Sequence, residues 1–148
     1  MQFSCTVDID QPIEKVIELF DNPDNMKEWQ DGFVSFKHLS GSPGEVGSTS
    51  VITYENRGKP FELIETIMVR NLPHEFSGMY EHKSMTNTMQ NIFTTLENGN
   101  TRWTANIEYT KMKGLMLKIL TTFMPSMFKK QVQKWMNQFK DFAEKIDL

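Results

Sequence analysis

Residues 101–148 read TRWTANIEYTKMKGLMLKILTTFMPSMFKKQVQKWMNQFKDFAEKIDL, and within them the hydrophobic period changes once. Up to Thr110 it is two: Trp103, Ala105, Ile107 and Tyr109 share one face, while Thr104, Asn106, Glu108 and Thr110 share the other. That pattern predicts a strand over 101–111 with one buried face. Beyond Lys113 the period is helical. Phe128, Val132, Trp135, Phe139, Phe142 and Ile146 follow at spacings of 4, 3, 4, 3 and 4, with Lys129, Lys130, Lys134, Lys140 and Glu144 lying off the stripe. This predicts a long C-terminal helix with one apolar side, kinked or divided at Pro125.

Upstream of this switch the chain reads as strands. Turn signals recur at Ser40-Gly41-Ser42-Pro43-Gly44, Asn56-Arg57-Gly58-Lys59, Asn71-Leu72-Pro73 and Asn98-Gly99-Asn100. Between them lie segments rich in β-branched and aromatic residues, at 33–40, 48–57, 60–70, 74–82 and 86–96. Consecutive strands with short links predict an antiparallel meander. The first strand, 2–10, alternates Phe3, Cys5, Val7 and Ile9 against Ser4, Thr6, Asp8 and Asp10. Gln11-Pro12 then opens a short helix, with proline at its first position and an apolar stripe of Ile13, Val16, Ile17 and Phe20. Asn22 is the expected cap of a second short helix running to about Trp29. The helix pair can cross the end of the sheet, so strands 1 and 2 need not be neighbours. The whole chain, 1–148, reads as one α+β domain.

A seven-stranded sheet with one polar face must bury the other, and a single long helix is available to cover it. A strongly curved sheet around one helix leaves space lined by inward aromatics and methionines, and such an apolar pocket is the default ligand site. The chain is rich in both, with 11 Phe, 3 Trp, 3 Tyr and 11 Met.

The same residues carry a resemblance. Pro12-x-x-Lys15-Val16-x-x-Leu19-Phe20, Asn22-Pro23 and Trp29 are followed by Gly41-x-x-Gly44-x-x-Gly47, Leu72-Pro73, Thr101-Arg102-Trp103-Thr104 and the aromatic final helix. In this order and spacing the chain resembles the START-like, Bet v 1-like helix-grip superfamily, also called the SRPBCC or polyketide cyclase/dehydrase and lipid-transport group. The resemblance implies a helix-grip α+β fold with an internal cavity. It does not imply one activity, since members include lipid carriers, hormone receptors, quinone-binding proteins and cyclases.

Several function classes are disfavoured. The net charge is -3, whereas nucleic-acid affinity rests on a dominant basic surface. No Gly-x-Ser-x-Gly elbow occurs, and Gly78 stands where a second histidine would complete a zinc motif after His74-Glu75. One Cys and three dispersed His make a metal site improbable. Gly41, Gly44 and Gly47 lie between strands and lack the strand–helix context of a phosphate loop. No cofactor is expected. The single cysteine, Cys5, suits a reducing, cytoplasmic location and reads as an inert core thiol.

The expected cavity wall comprises Trp103, Ile107 and Tyr109 from the final strand, Phe76 and Tyr80 as a second set, and Met89 and Phe93 as a third. Met116, Leu120 and Phe123 are the candidates from the helix, and Tyr54, Tyr80 and His82 supply polar contacts. Any of these residues alone reads more readily as plain core. Glu65 alternates with Leu63, Ile67 and Val69; the competing inner face is Ile64, Thr66 and Met68. Turned inward, Glu65 is the weak catalytic candidate, a buried carboxylate of raised pKa.

Three functions compete on this reading. The first is a binder or carrier of a lipid, quinone or polyketide-like molecule. The second is a cyclase- or hydrolase-like enzyme. The third is an interaction module acting through 113–130, where Lys111, Lys113, Lys118, Lys129 and Lys130 surround an apolar segment. That segment reads first as packing into the core, and otherwise suits a gate over the cavity, a second copy of the chain or a membrane surface.

Overall fold

The structure, a computed structural model, describes residues 1–115, 118 and 125–146. Its strands are β1 (Gln2–Ile9), β2 (Phe33–Ser40), β3 (Thr49–Asn56), β4 (Lys59–Asn71), β5 (Glu75–His82), β6 (Met85–Thr95) and β7 (Thr101–Met112). The helices are α1 (Ile13–Phe20), α2 (Met26–Trp29) and α3 (Pro125–Lys145), with a 3-10 turn at Pro23–Asn25 before α2. The strands form one antiparallel sheet in the order β1-β7-β6-β5-β4-β3-β2. The α1–α2 pair carries the chain from one edge of the sheet to the other, so β1 and β2 lie farthest apart.

Local signals explain the ends. Asn22 caps the 3-10 turn through Oδ1, which accepts the Asp24 N–H at 3.0 Å. Pro12 occupies the cap of α1, one residue before the first helical position expected for it. Gly41, Gly44 and Gly47 all have left-handed φ, at 78°, 81° and 89°. They turn the chain from β2 into β3, and no helix follows them.

α3 packs along β1 and against α1 and α2. Its fully buried positions are Met136, Phe139 and Ala143, flanked by the half-buried Val132, Trp135, Phe142 and Ile146. Its polar side chains cover the free edge of β1. Gln133 Nε2 donates to the Thr6 carbonyl at 3.1 Å and Lys140 Nζ to the Asp8 carbonyl at 2.9 Å. Gln11 Nε2 donates to the Ala143 carbonyl at 2.9 Å, while the Gln11 carbonyl accepts from Thr101 Oγ1 at 2.8 Å. The Thr6–Asp8 part of the edge, so bonded, no longer offers its carbonyls to another chain. The segment 119–124 that precedes Pro125, where the break in the helix is expected, lies outside the described residues.

The solid part of the core is aromatic and lies at the β1–β7–β6 end. Phe20 is its hub, with ring centroids 5.0 Å from Phe93, 5.5 Å from Trp103 and 6.3 Å from both Trp29 and Phe139. Trp103 Nε1 donates to Asn91 Oδ1 at 2.9 Å, which keeps a buried indole satisfied. Cys5 is 2% exposed beside this cluster, and burial pushes its thiol pKa up, as expected of an inert core thiol.

Candidate functional site

α3 covers only one end of the sheet. Toward β3, β4 and β5 the concave face curves away from it and encloses a cavity of about 1150 Å³. Ligand pockets commonly span roughly 300–1,000 Å³, so there is room for a sizeable organic molecule. The helical wall includes Phe128, Val132, Trp135 and Met136 from α3, with Trp29 and Gln30 at the end of α2.

Cross-strand register organises the sheet wall. Ile67 pairs with Gly78, Gly78 with Met89, and Met89 with Ile107, which makes an apolar row across four strands. The neighbouring row is polar. Ser50 pairs with Glu65, Glu65 with Tyr80, Tyr80 with Asn87 and Asn87 with Tyr109. All five side chains line the cavity. On the far side of this belt the wall is apolar again at Ile52 and Leu63, which also pair.

Glu65 is the chemical centre of the belt. It is 9% exposed, and Tyr80 Oη donates to its Oε2 at 2.9 Å. Burial raises the Glu65 pKa, and the Tyr80 hydrogen bond pulls it partly back. Tyr80 is pushed well above the usual phenol range, first by burial and then by the Glu65 charge. Tyr54 is raised for the same two reasons, and its hydroxyl donates to Gln30 Oε1 at 2.8 Å. Burial also raises Tyr109. The phenols therefore stay protonated and act as donors.

Gly78 makes the Tyr80 position possible. A Cβ added there would stand 2.9 Å from Tyr80 Oη and 3.1 Å from two ring carbons. The tyrosine lies back along its own strand over a bare backbone and so reaches Glu65 on β4.

Of the two faces weighed for β4, the one holding Leu63, Glu65 and Ile67 is turned inward, and Met68 is exposed on the other. Tyr54, Phe76, Tyr80, Met89, Trp103, Ile107 and Tyr109 lie on the cavity wall, as does His82. Phe93 does not; it is 1% exposed and packs in the aromatic core against Phe20 and Trp103. Met116, Leu120 and Phe123 lie outside the described residues. The same holds for much of segment 113–130; within its described part Leu115 and Met127 are exposed, and Met127 also reaches the cavity. Sequence reasoning missed Ser50, Asn87, Gln30 and the α3 residues Val132 and Trp135 as wall residues. Ser50 and Asn87 share the alternation of Tyr54 and Met89, so their face was readable; their meeting in one row was not.

Among the described residues no group of three or more His, Cys, Asp or Glu side chains could hold a metal ion. No helix among them is long and apolar enough to cross a membrane.

A curved seven-stranded sheet gripping a C-terminal helix over a cavity defines the START-like, Bet v 1-like helix-grip fold, and this chain has it. Solved structures with the same fold include Ara h 8.0201 (TM-score 0.78, 12% identity, covering 97% of each chain). Another is TTHA0849 from Thermus thermophilus (TM-score 0.77, 13% identity, 97% of each chain). A third is a START superfamily protein from Mycobacterium smegmatis (TM-score 0.74, 12% identity, 99% of each chain). At such identities the likeness is one of fold. No protein-family model and no curated protein matches the sequence.

Proposed function

We propose that the protein binds, and in the cell carries, a hydrophobic or amphipathic small molecule such as a lipid, a quinone or a polyketide-like compound. One observation carries this reading: about 1150 Å³ of largely apolar space lies beside a core that is otherwise packed solid. Burial of apolar ligand surface in such a space contributes roughly 25 cal/mol per Å² before the costs of association. The single cysteine, held as a buried thiol, suits a reducing compartment such as the cytoplasm. The test is displacement of an apolar fluorescent probe, together with mass spectrometry of the gently purified protein. The probe is expected to bind the wild type and to bind more weakly to Ile107→Trp, which narrows the cavity at its apolar row. A wild type that binds no probe, or a narrowed variant that binds it unchanged, would overturn the reading.

A second reading draws support from the Glu65–Tyr80 contact. A buried carboxyl of raised pKa and a phenol donor facing one space are the parts of a general acid–base pair. The two readings separate on the fate of a ligand recovered from the protein. Return of the ligand unchanged after incubation supports a carrier; conversion that disappears in Glu65→Gln supports an enzyme.

A further inference from the structure

Resting on the reading of the cavity as a ligand site, we infer that its ligand is a lipophilic amine, whose cationic nitrogen donates to Glu65 within the polar belt while its apolar body lies on the flanking rows.

The argument begins with what Glu65 lacks. An ionised carboxylate offers about four acceptor positions, and among the described residues Tyr80 Oη is its one hydrogen-bond partner. Among those residues no lysine, arginine or histidine forms an ion pair with it. A carboxylate buried without a countercharge is costly, and the cost is offset when a cation arrives with hydrogen bonds to give.

The basic groups on the wall do not supply that cation. Arg70 is held in a two-bond pair by Asp21, at 2.8 and 2.7 Å. Lys134 is held by Asp31 at 2.8 Å. His82 takes the Ser84 N–H on Nδ1 at 3.4 Å and, among the described residues, makes no ion pair with Glu65. His38 and Arg57 are exposed, Arg57 in the turn between β3 and β4. Among the described residues the interior at the belt therefore carries one acid and no base, since Glu55, the other unpaired acid on the wall, is also exposed. An ammonium group there can donate to Glu65 and to the hydroxyl oxygen of Ser50, which pairs with it in the row. A carboxylate or phosphate head placed there meets a like charge instead. The belt has apolar wall on both sides, so a nitrogen at Glu65 leaves the hydrocarbon part on Ile67, Met89 and Ile107 or on Ile52 and Leu63.

The test uses one apolar body with three end groups: naphthylethylamine, naphthylethanol and naphthylacetate. Each is titrated calorimetrically into the full chain, wild type and Glu65→Gln. The wild type is expected to bind the amine about tenfold or more tighter than the acid, the scale of one charge-assisted contact. Glu65→Gln is expected to weaken the amine by about tenfold while leaving the alcohol within about threefold. An acid bound as tightly as the amine, as when a carboxylate stays at Arg57, overturns the inference. So does an amine affinity unchanged in Glu65→Gln. If none of the three binds while the apolar probe does, the carrier reading stands and the amine preference falls; if the probe also fails, both fall. Should Glu65→Gln not fold, the ranking of the three compounds on the wild type decides alone.

Discussion

Glu65 is an expensive residue for the fold to hold. Burial raises its pKa, so the folded chain keeps this proton at pH values where the unfolded chain has released it. The sign follows from linkage: the site's contribution is complete below the ordinary glutamate value and is lost as pH rises through the raised one. Glu65→Gln cannot ionise. Its stability should therefore gain on wild type as pH rises from acid to neutral, by at most about 1.4 kcal/mol per pH unit for one proton. Urea titrations of both proteins at acid and neutral pH check this; an equal slope would contradict the burial. Gly78 gives a second prediction. Gly78→Ala should keep the fold but push Tyr80 off Glu65, because the added methyl would stand 2.9 Å from the hydroxyl. The tyrosine near-ultraviolet circular dichroism should change as it does in Tyr80→Phe. Neither role was decidable from the sequence alone. Both alternating sets of β4 are partly apolar, so Glu65 could face either way, and a glycine in a strand does not announce which ring will lie over it.

At the scale of the element, α3 does two different jobs along its length. Phe139 is fully buried against Phe20, Trp29 and Trp103. Phe139→Ala should cost about 3–5 kcal/mol in chemical denaturation, the range for a large aromatic removed from a solid core. One turn earlier, Trp135 stacks on Tyr54 at 5.2 Å and forms cavity wall. Trp135→Ala should cost clearly less stability than Phe139→Ala, since one side of the indole already faces open space, and should weaken binding of the apolar probe. Equal losses in the two variants would mean that the helix packs uniformly and that the cavity is not a separate region. The stripe on α3 and the strands β1 and β7 were legible from hydrophobic period, and the five strands between them from turn signals and β-branched, aromatic-rich composition, because each of these signals depends only on neighbours along the chain. The division of the stripe into core and wall was not, because it depends on how far the sheet bends away. Met136 and Ala143, two of the deepest positions, fell between the aromatic marks of the stripe.

For the molecule as a whole, an occupied cavity should stabilise the fold by mass action. A ligand at one hundred times its Kd should add about 2.7 kcal/mol to the unfolding free energy. Its binding should also show a negative heat-capacity change, the sign of apolar burial. Calorimetry with the apolar probe measures both, and a bound probe that leaves the melting temperature unmoved would mean that it does not prefer the folded chain, contrary to a cavity site. The order of elements, the antiparallel meander, the amphipathic final helix and the apolar side of most strands were set by the amino-acid sequence, since side-chain alternation and helical period are local properties of the chain. Three things were decided by tertiary structure: the inward turn of Glu65, the alignment of Ser50, Glu65, Tyr80, Asn87 and Tyr109 into one belt, and the division between aromatic core and open cavity. Register and curvature join residues far apart in sequence, and a shift of one residue in any pairing would have turned a different face to the interior.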